Sequence, residues 1–177
     1  DAVCEAVPRY VQLSEGRAFV LFTSHAMMRQ CAERLAPFFE EQNMSLFVQD
    51  AGMPRSMMLD EFRRADRGVL FGTDTFWAGV DVPGEALSNV IIVKLPFAVP
   101  NHPVVEARIE LIREKGGNPF MAYQVPEAIL KFKQGVGRLI RTRRDRGMIV
   151  ILDPRIRTKP YGRRFLQALP ECEVVTS

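Results

Sequence analysis

The segment Gln134-Gly135-Val136-Gly137-Arg138-Leu139-Ile140-Arg141 places a glutamine, two arginines and two glycines on what the spacing predicts to be a single helix. At intervals of four and then three residues, Gln134, Arg138 and Arg141 share one face, while Val136, Leu139 and Ile140 turn toward another. Glycine in a helix interior costs about 1 kcal/mol relative to alanine, so the pair invites a reason such as close approach of another backbone or a ligand. Two guanidiniums converging there would suit a polyphosphate. Arginine keeps its charge, presents planar donors and stabilises the negative charge spread over a phosphoryl group in transfer. The same residues also fit a solvated basic helix end, since Arg143, Arg144 and Arg146 follow and cations are favoured at a helix C-terminus. The order of the surrounding segments separates the two readings.

Those side chains need a scaffold, and the apolar pattern outlines one. Arg17 to Thr23 (RAFVLFT) is a short apolar run ending in small polar residues, as a buried parallel strand would be. His25 to Gln42 reads as a helix with Met28, Cys31, Leu35 and Phe38/Phe39 as its stripe, and Pro37 is expected to kink or break it near Ala36. Leu46 to Val48 is a second strand. Pro54 opens a helix that turns Met57, Met58, Leu59 and Phe62 inward before Gly68. Val69 to Phe71 and Asn89 to Leu95 are the third and fourth strands, separated by a loop rich in glycine, threonine and aspartate. After a proline cluster, Val104 to Lys115 is an amphipathic helix carrying Val105, Ile109 and Ile112 and closed by Gly116-Gly117. Pro126 starts the helix that holds Gln134, Arg138 and Arg141, with Gly147 as its terminator. Met148 to Leu152 is the fifth strand, Tyr161 to Leu169 a last helix, and Glu173 to Val175 a candidate edge strand. Strands alternating with helices imply an α/β fold, an open parallel sheet with helices on both faces. Ligands of such sheets sit at the carboxyl ends of the strands, where Ser24 and the segment Thr73 to Asp81 would fall.

With 177 residues and 47% hydrophobic content, the chain suits one domain with a substantial core and is short for two. Net charge is only +3, so any nucleic-acid surface is a local stripe, concentrated between Lys131 and Arg146. Cys4, Cys31 and Cys172 are widely spaced, odd in number and form no CxxC pair, which supports neither a disulfide framework nor a four-thiolate metal site. A reduced, cytoplasmic protein with no metal of its own is expected. No apolar run reaches the roughly 18 residues of a membrane span. The chain starts at Asp1 without a methionine, as an excised piece of something longer would. It carries no GxxxxGK[ST] phosphate loop and no acidic DE-A/x-H block for magnesium, so half of an ATPase site is missing from it.

Three blocks stand in order: FVLFTS (Phe19 to Ser24), VLFGTDTFWAGVDVPG (Val69 to Gly84) and QGVGRLIR (Gln134 to Arg141). Together they resemble motifs IV, V and VI in the second RecA-like domain of superfamily two helicases. The segments VIIVKLPFAVPNHPVVEAR, LDPRI and YGRRFLQALP narrow the resemblance to the C-terminal helicase domain of the DinG group of bacterial DNA helicases, relatives of XPD. It runs from about Gly16 to Pro170. One position departs from it: Ala78 stands between Trp77 and Gly79, where DinG-like motif V usually has an acidic residue.

The resemblance implies a RecA-like domain, residues 1–177, belonging to a longer ATP-dependent DNA helicase that works in DNA repair or at replication conflicts with 5′-to-3′ polarity. It implies that Arg138 and Arg141 are arginine fingers reaching the terminal phosphate of ATP held mainly, with Mg2+, by the first RecA-like domain of the same chain. Gln134 would line that cleft, and Gly79 and Asp81 would lie near the nucleotide ribose, where a carboxylate accepts hydroxyl hydrogen bonds. Ser24 and Thr73 would hydrogen-bond phosphates of single-stranded DNA, positioning the strand without reading its sequence. Trp77 either stacks on a base or packs, and Asp74 and Asp81 also fit turn caps. His25 opens its helix and Cys31 reads as a buried apolar residue. The fragment alone is expected to be a monomer that does not hydrolyse ATP. A non-catalytic RecA-like module that binds nucleic acid or a partner is the competing reading, and a nuclease domain upstream, as in some DinG-like chains, is compatible with either.

Overall fold

The computed structural model describes residues 2–49, 52–73, 87–98, 103–137 and 147–176. Trp77, Ala78, Gly79, Asp81, Arg138 and Arg141, with Asp74 and His102, lie outside the described residues.

Short runs rich in Val, Ile, Leu and Phe can be hidden on both faces only in a covered parallel sheet, and that is where they lie. Strands β1 (Ala18–Leu21), β2 (Ser45–Val48), β3 (Gly68–Gly72), β4 (Asn89–Ile92) and β5 (Met148–Ile151) form one parallel sheet in the order β2-β3-β1-β4-β5. Leu21 is level with Gly72 on one side and Ile92 on the other, Val48 with Phe71, and Ile92 with Ile151, so the carboxyl ends of all five strands meet one edge.

The handedness of the connections distributes the helices. From β1 the chain passes through α2 (His25–Glu41) to β2, then returns through α3 (Arg55–Arg64) to β3 in the opposite direction. From β4 to β5 it runs through α4 (Pro103–Glu114), a π-helical turn (Phe120–Gln124) and α5 (Val125–Val136), again in that second direction. Right-handed crossovers therefore require α2 on one face and α3 and α5 on the other. Side chains separate accordingly. Met28, Cys31, Leu35 and Phe39 of α2 pack with Val20, Phe22, Val69, Phe71 and Ile91, together with Cys4, Val7 and Val11 of the N-terminal helix α1 (Ala2–Leu13). Met58 and Phe62 of α3 and Phe132 and Val136 of α5 pack with Phe19, Leu21, Leu70, Val90 and Ile92. The short helices α6 (Arg155–Thr158) and α7 (Gly162–Gln167) complete this second layer through Ile156 and Phe165.

Several details depart from the sequence pattern. α2 continues through Pro37, because the carbonyl that loses its partner belongs to Glu33, an exposed residue on the watery side of the helix. Met57 is 53% exposed, so only Met58, Leu59 and Phe62 of that set face inward. The turn before α5 is π-helical: the Val125 N–H reaches the Phe120 carbonyl, and Pro126 has no N–H to place. α5 ends at Val136 with Gly137 as its C-cap, ahead of the Gly147 terminator expected. Residues 173–175 form no strand, and Val174 and Val175 are exposed. Neither α1 nor α6 was among the elements named from the sequence.

Candidate functional site

At the carboxyl edge, Gln49 and Thr73 follow directly on the ends of β2 and β3, and Ser24 lies three residues beyond the end of the adjacent β1. Ladder bonds continue past the strands to fix their backbones: Phe22 N–H donates to Gly72 O at 2.8 Å, and Gln49 N–H to Phe71 O at 3.0 Å. Ser24 then caps α2 in extended backbone (φ −142°, ψ 124°), its Oγ accepting a long 3.4 Å bond from Met27 N–H. The sequence folds so here because an apolar strand gives way to Thr-Ser, whose hydroxyl can hold a first-turn donor that the helix leaves orphaned.

Thr73, one residue beyond β3, is only 3% exposed. Its backbone N–H donates to Oε1 of Gln49 at 2.7 Å, and its Oγ1 donates to the same oxygen at 2.9 Å. Its Oγ1 also lies 3.2 Å from Nε2 of His25, the first residue of α2. The structure thus joins the Ser24–His25 turn, Thr73 and Gln49 into one cluster drawn from α2, β3 and β2. Gln49 belongs to no motif in the sequence, and the sequence marks His25 only as the first residue of a helix. The one signal for Gln49 was a polar residue directly after an apolar strand, 8% exposed once folded.

Gln134 sits apart from this cluster, exposed in the last turn of α5 on the other side of the sheet. Gly135 and Val136 beside it are buried. A Cβ on Gly137 would stand 3.0 Å from the Lys133 carbonyl oxygen, so the close backbone approach at this glycine comes from its own helix. Among the described residues no group of three or more His, Cys, Asp or Glu side chains could hold a metal ion.

The ends of β4 and β5 carry a second polar cluster, which braces the edge. Asp153, 4% exposed, accepts from Leu95 N–H at 2.9 Å, from Arg155 N–H at 3.0 Å and from Arg155 Nη2 at 2.6 Å. Burial pushes its carboxyl up, but the Arg155 guanidinium and the two backbone N–H groups outweigh that and hold it below the usual carboxylate range. The Arg155 guanidinium lies 5.2 Å from the centre of the Phe97 ring, which stacks on Phe120 and meets Tyr161 and Phe165 edge-on. Gly162 is packed so closely that a Cβ would overlap the Ile156 carbonyl oxygen. The LPF, LDPRI and YGRR segments are therefore parts of one brace.

Comparison with known proteins follows the same lines. Residues 7–172 match the helicase C-terminal domain family. The chain is 44% identical over 172 residues to the 3′-5′ exonuclease DinG of Bacillus subtilis, covering 94% of this chain and 18% of that protein. It is 46% identical over 160 residues to the ATP-dependent DNA helicase YoaA of Haemophilus influenzae, covering 90% of this chain and 24% of that protein. The chain therefore spans about a fifth to a quarter of the length of these curated relatives. An apo XPD structure superposes with a TM-score of 0.73 at 16% identity, over 93% of this chain and 33% of that one. Domain 2 of the DEAD-box helicase Mss116p, bound to an RNA duplex, gives 0.60 at 13% identity, over 94% of this chain and 54% of that one, which shows the shared RecA-like fold. The chain belongs to the helicase C-terminal domain family, as a DinG-like member of helicase superfamily two.

Proposed function

We propose that this chain is the second motor domain of a longer ATP-dependent DNA helicase that moves 5′ to 3′ on single-stranded DNA. Arg138 and Arg141 supply fingers to ATP bound mainly by the first RecA-like domain, Gln134 lines the same cleft, and Gly79 and Asp81 lie near the ribose. Ser24, Thr73 and Trp77 belong to the DNA-facing edge. The observation that carries this reading is the QGVGRLIR segment, which falls inside the family match at residues 7–172 in a chain that has no phosphate loop. The donor set suits a nucleotide: planar cations and an amide for phosphate oxygens, a carboxylate for hydroxyls. ATP hydrolysis supplies the free energy for movement, and Mg2+ is held by the first domain.

The domain's own residues then do two things. The guanidiniums stabilise charge that develops on the phosphoryl oxygens, which couples turnover to closure of two domains. The carboxyl edge holds a strand by its phosphates, independent of sequence. The full-length protein tests this through single-strand-stimulated ATP turnover and displacement of a duplex from a 5′ overhang. Turnover indifferent to DNA, or displacement only from a 3′ overhang, would contradict it. Ala78, in place of the usual acidic residue, is the one feature that favours a non-catalytic binding module, and absence of DNA-stimulated turnover in the full-length protein would select that reading.

A further inference from the structure

The cluster behind the DNA-facing edge carries a definite proton arrangement. A backbone N–H can only donate, so the Gln49 side-chain atom 2.7 Å from Thr73 N must be the amide oxygen. That oxygen cannot donate, so the Thr73 hydroxyl 2.9 Å away gives it its single proton. With that proton committed, the contact of 3.2 Å between Thr73 Oγ1 and His25 Nε2 is a hydrogen bond only if Nε2 carries the proton. One buried amide thus fixes a hydroxyl, and the hydroxyl fixes the tautomer and the tilt of an exposed imidazole beside the Ser24 cap.

We propose that Gln49 is a positioning residue for the strand-binding edge, acting through Thr73 on His25, and that His25 meets the DNA strand beside Ser24. Thr73 serves the edge as an acceptor for His25, with both of its own donors turned inward to Gln49. Gln49 is well placed for the role. Its backbone is held in the ladder by Phe71, and its side chain reaches from β2 to β3, so it sets the height of Thr73 against the first turn of α2. The inference rests on the reading of this edge as a single-stranded DNA surface.

The test uses the full-length protein and an oligothymidylate of fixed length. Gln49→Met removes the acceptor at similar volume, Thr73→Val removes the hydroxyl, Thr73→Ser keeps it, and His25→Gln removes the ring. Gln49→Met, Thr73→Val and His25→Gln should each weaken binding about 3- to 10-fold, the range set by a hydrogen bond's net worth, and Thr73→Ser should bind like the parent protein. Because Gln49 acts through His25, the Gln49→Met, His25→Gln double variant should be no weaker than the weaker single one. Histidine nitrogen NMR should show His25 as the Nε2–H tautomer in the parent protein and a shifted tautomer population in Gln49→Met. If Gln49→Met does not fold, Thr73→Val in its place gives the same cycle. Parent-like binding by the Gln49 and His25 variants, additive losses, or an Nδ1–H tautomer in the parent protein would overturn the proposal while leaving the DNA-binding reading intact. Failure of the parent protein to bind the oligonucleotide would overturn that reading itself.

Discussion

Oδ2 of Asp153 accepts a 2.9 Å hydrogen bond from the backbone N–H of Leu95, joining the ends of β5 and β4 across a sequence separation of 58 residues. The bond carries more than a local turn would, because the same carboxylate also holds Arg155, and Arg155 covers Phe97. Asp153→Ala leaves the Leu95 donor buried without its partner and should cost about 2–3 kcal/mol, in the range for an orphaned buried donor. Asp153→Asn keeps an acceptor and should cost less. Urea unfolding of the 177-residue chain measures both, and equal losses would show that the Leu95 contact is not what matters.

The same carboxylate gives a pH dependence with a defined sign. Its folded pKa is lowered, through Arg155 and two backbone donors acting against burial, while an unfolded aspartate titrates near about 3.9. The pair therefore contributes fully above the unfolded value, and the contribution is lost as pH falls through the folded one. The stability advantage of the parent chain over Asp153→Asn should be constant near neutrality and shrink below about pH 4. An advantage that grows on acidification would contradict this.

Cys4 and Cys31 bring their sulfurs to 3.1 Å between α1 and α2, both buried, whereas Cys172 is exposed. Burial, then the neighbouring Cys4 thiol, pushes the Cys31 thiol up to about 12. Thiolate is the reactive form, so the native chain should take up one alkyl group rapidly at Cys172, and the other two cysteines should react only on unfolding. Mass spectrometry reads the stoichiometry, and rapid triple labelling of the folded chain would refute the packing of α1 on α2.

By itself the chain should bind single-stranded DNA weakly and in a salt-sensitive way, since its affinity would rest on a few phosphate contacts and a basic stripe whose binding releases counterions. It should not turn over ATP. Affinity unchanged between low and moderate salt, or DNA-stimulated turnover by the purified chain, would each contradict this.

The sheet was legible because its strands are buried on both faces, so Phe19–Leu21, Val69–Phe71 and Val90–Ile92 read as unbroken apolar runs. The stripe of α2 was legible for the related reason that Met28, Cys31, Leu35 and Phe39 recur at helical spacing on one covered face. Pattern failed where the deciding contact was distant. Gln49 gains its meaning only when β2 is laid beside β3, and the Pro37 helix survives because its orphaned carbonyl faces water. Residues 173–175 show the reverse error: β-branched residues without a neighbouring strand to pair with do not make an edge strand. Of the candidate site, Ser24 and Thr73 fall together at the carboxyl edge as the segment order implied, while their partners His25 and Gln49 carried no motif to mark them.

The role of Arg138 and Arg141 is tested most directly by steady-state ATP turnover of the full-length protein carrying Arg138→Ala and Arg141→Ala together. Finger arginines contribute about 10³ to 10⁵ in rate, so turnover should fall by orders of magnitude while single-stranded DNA affinity changes little, and lysine at either position should rescue poorly. Near-normal turnover with a loss of DNA binding in proportion to the charge removed would mean that Arg138 and Arg141 are only part of a basic surface.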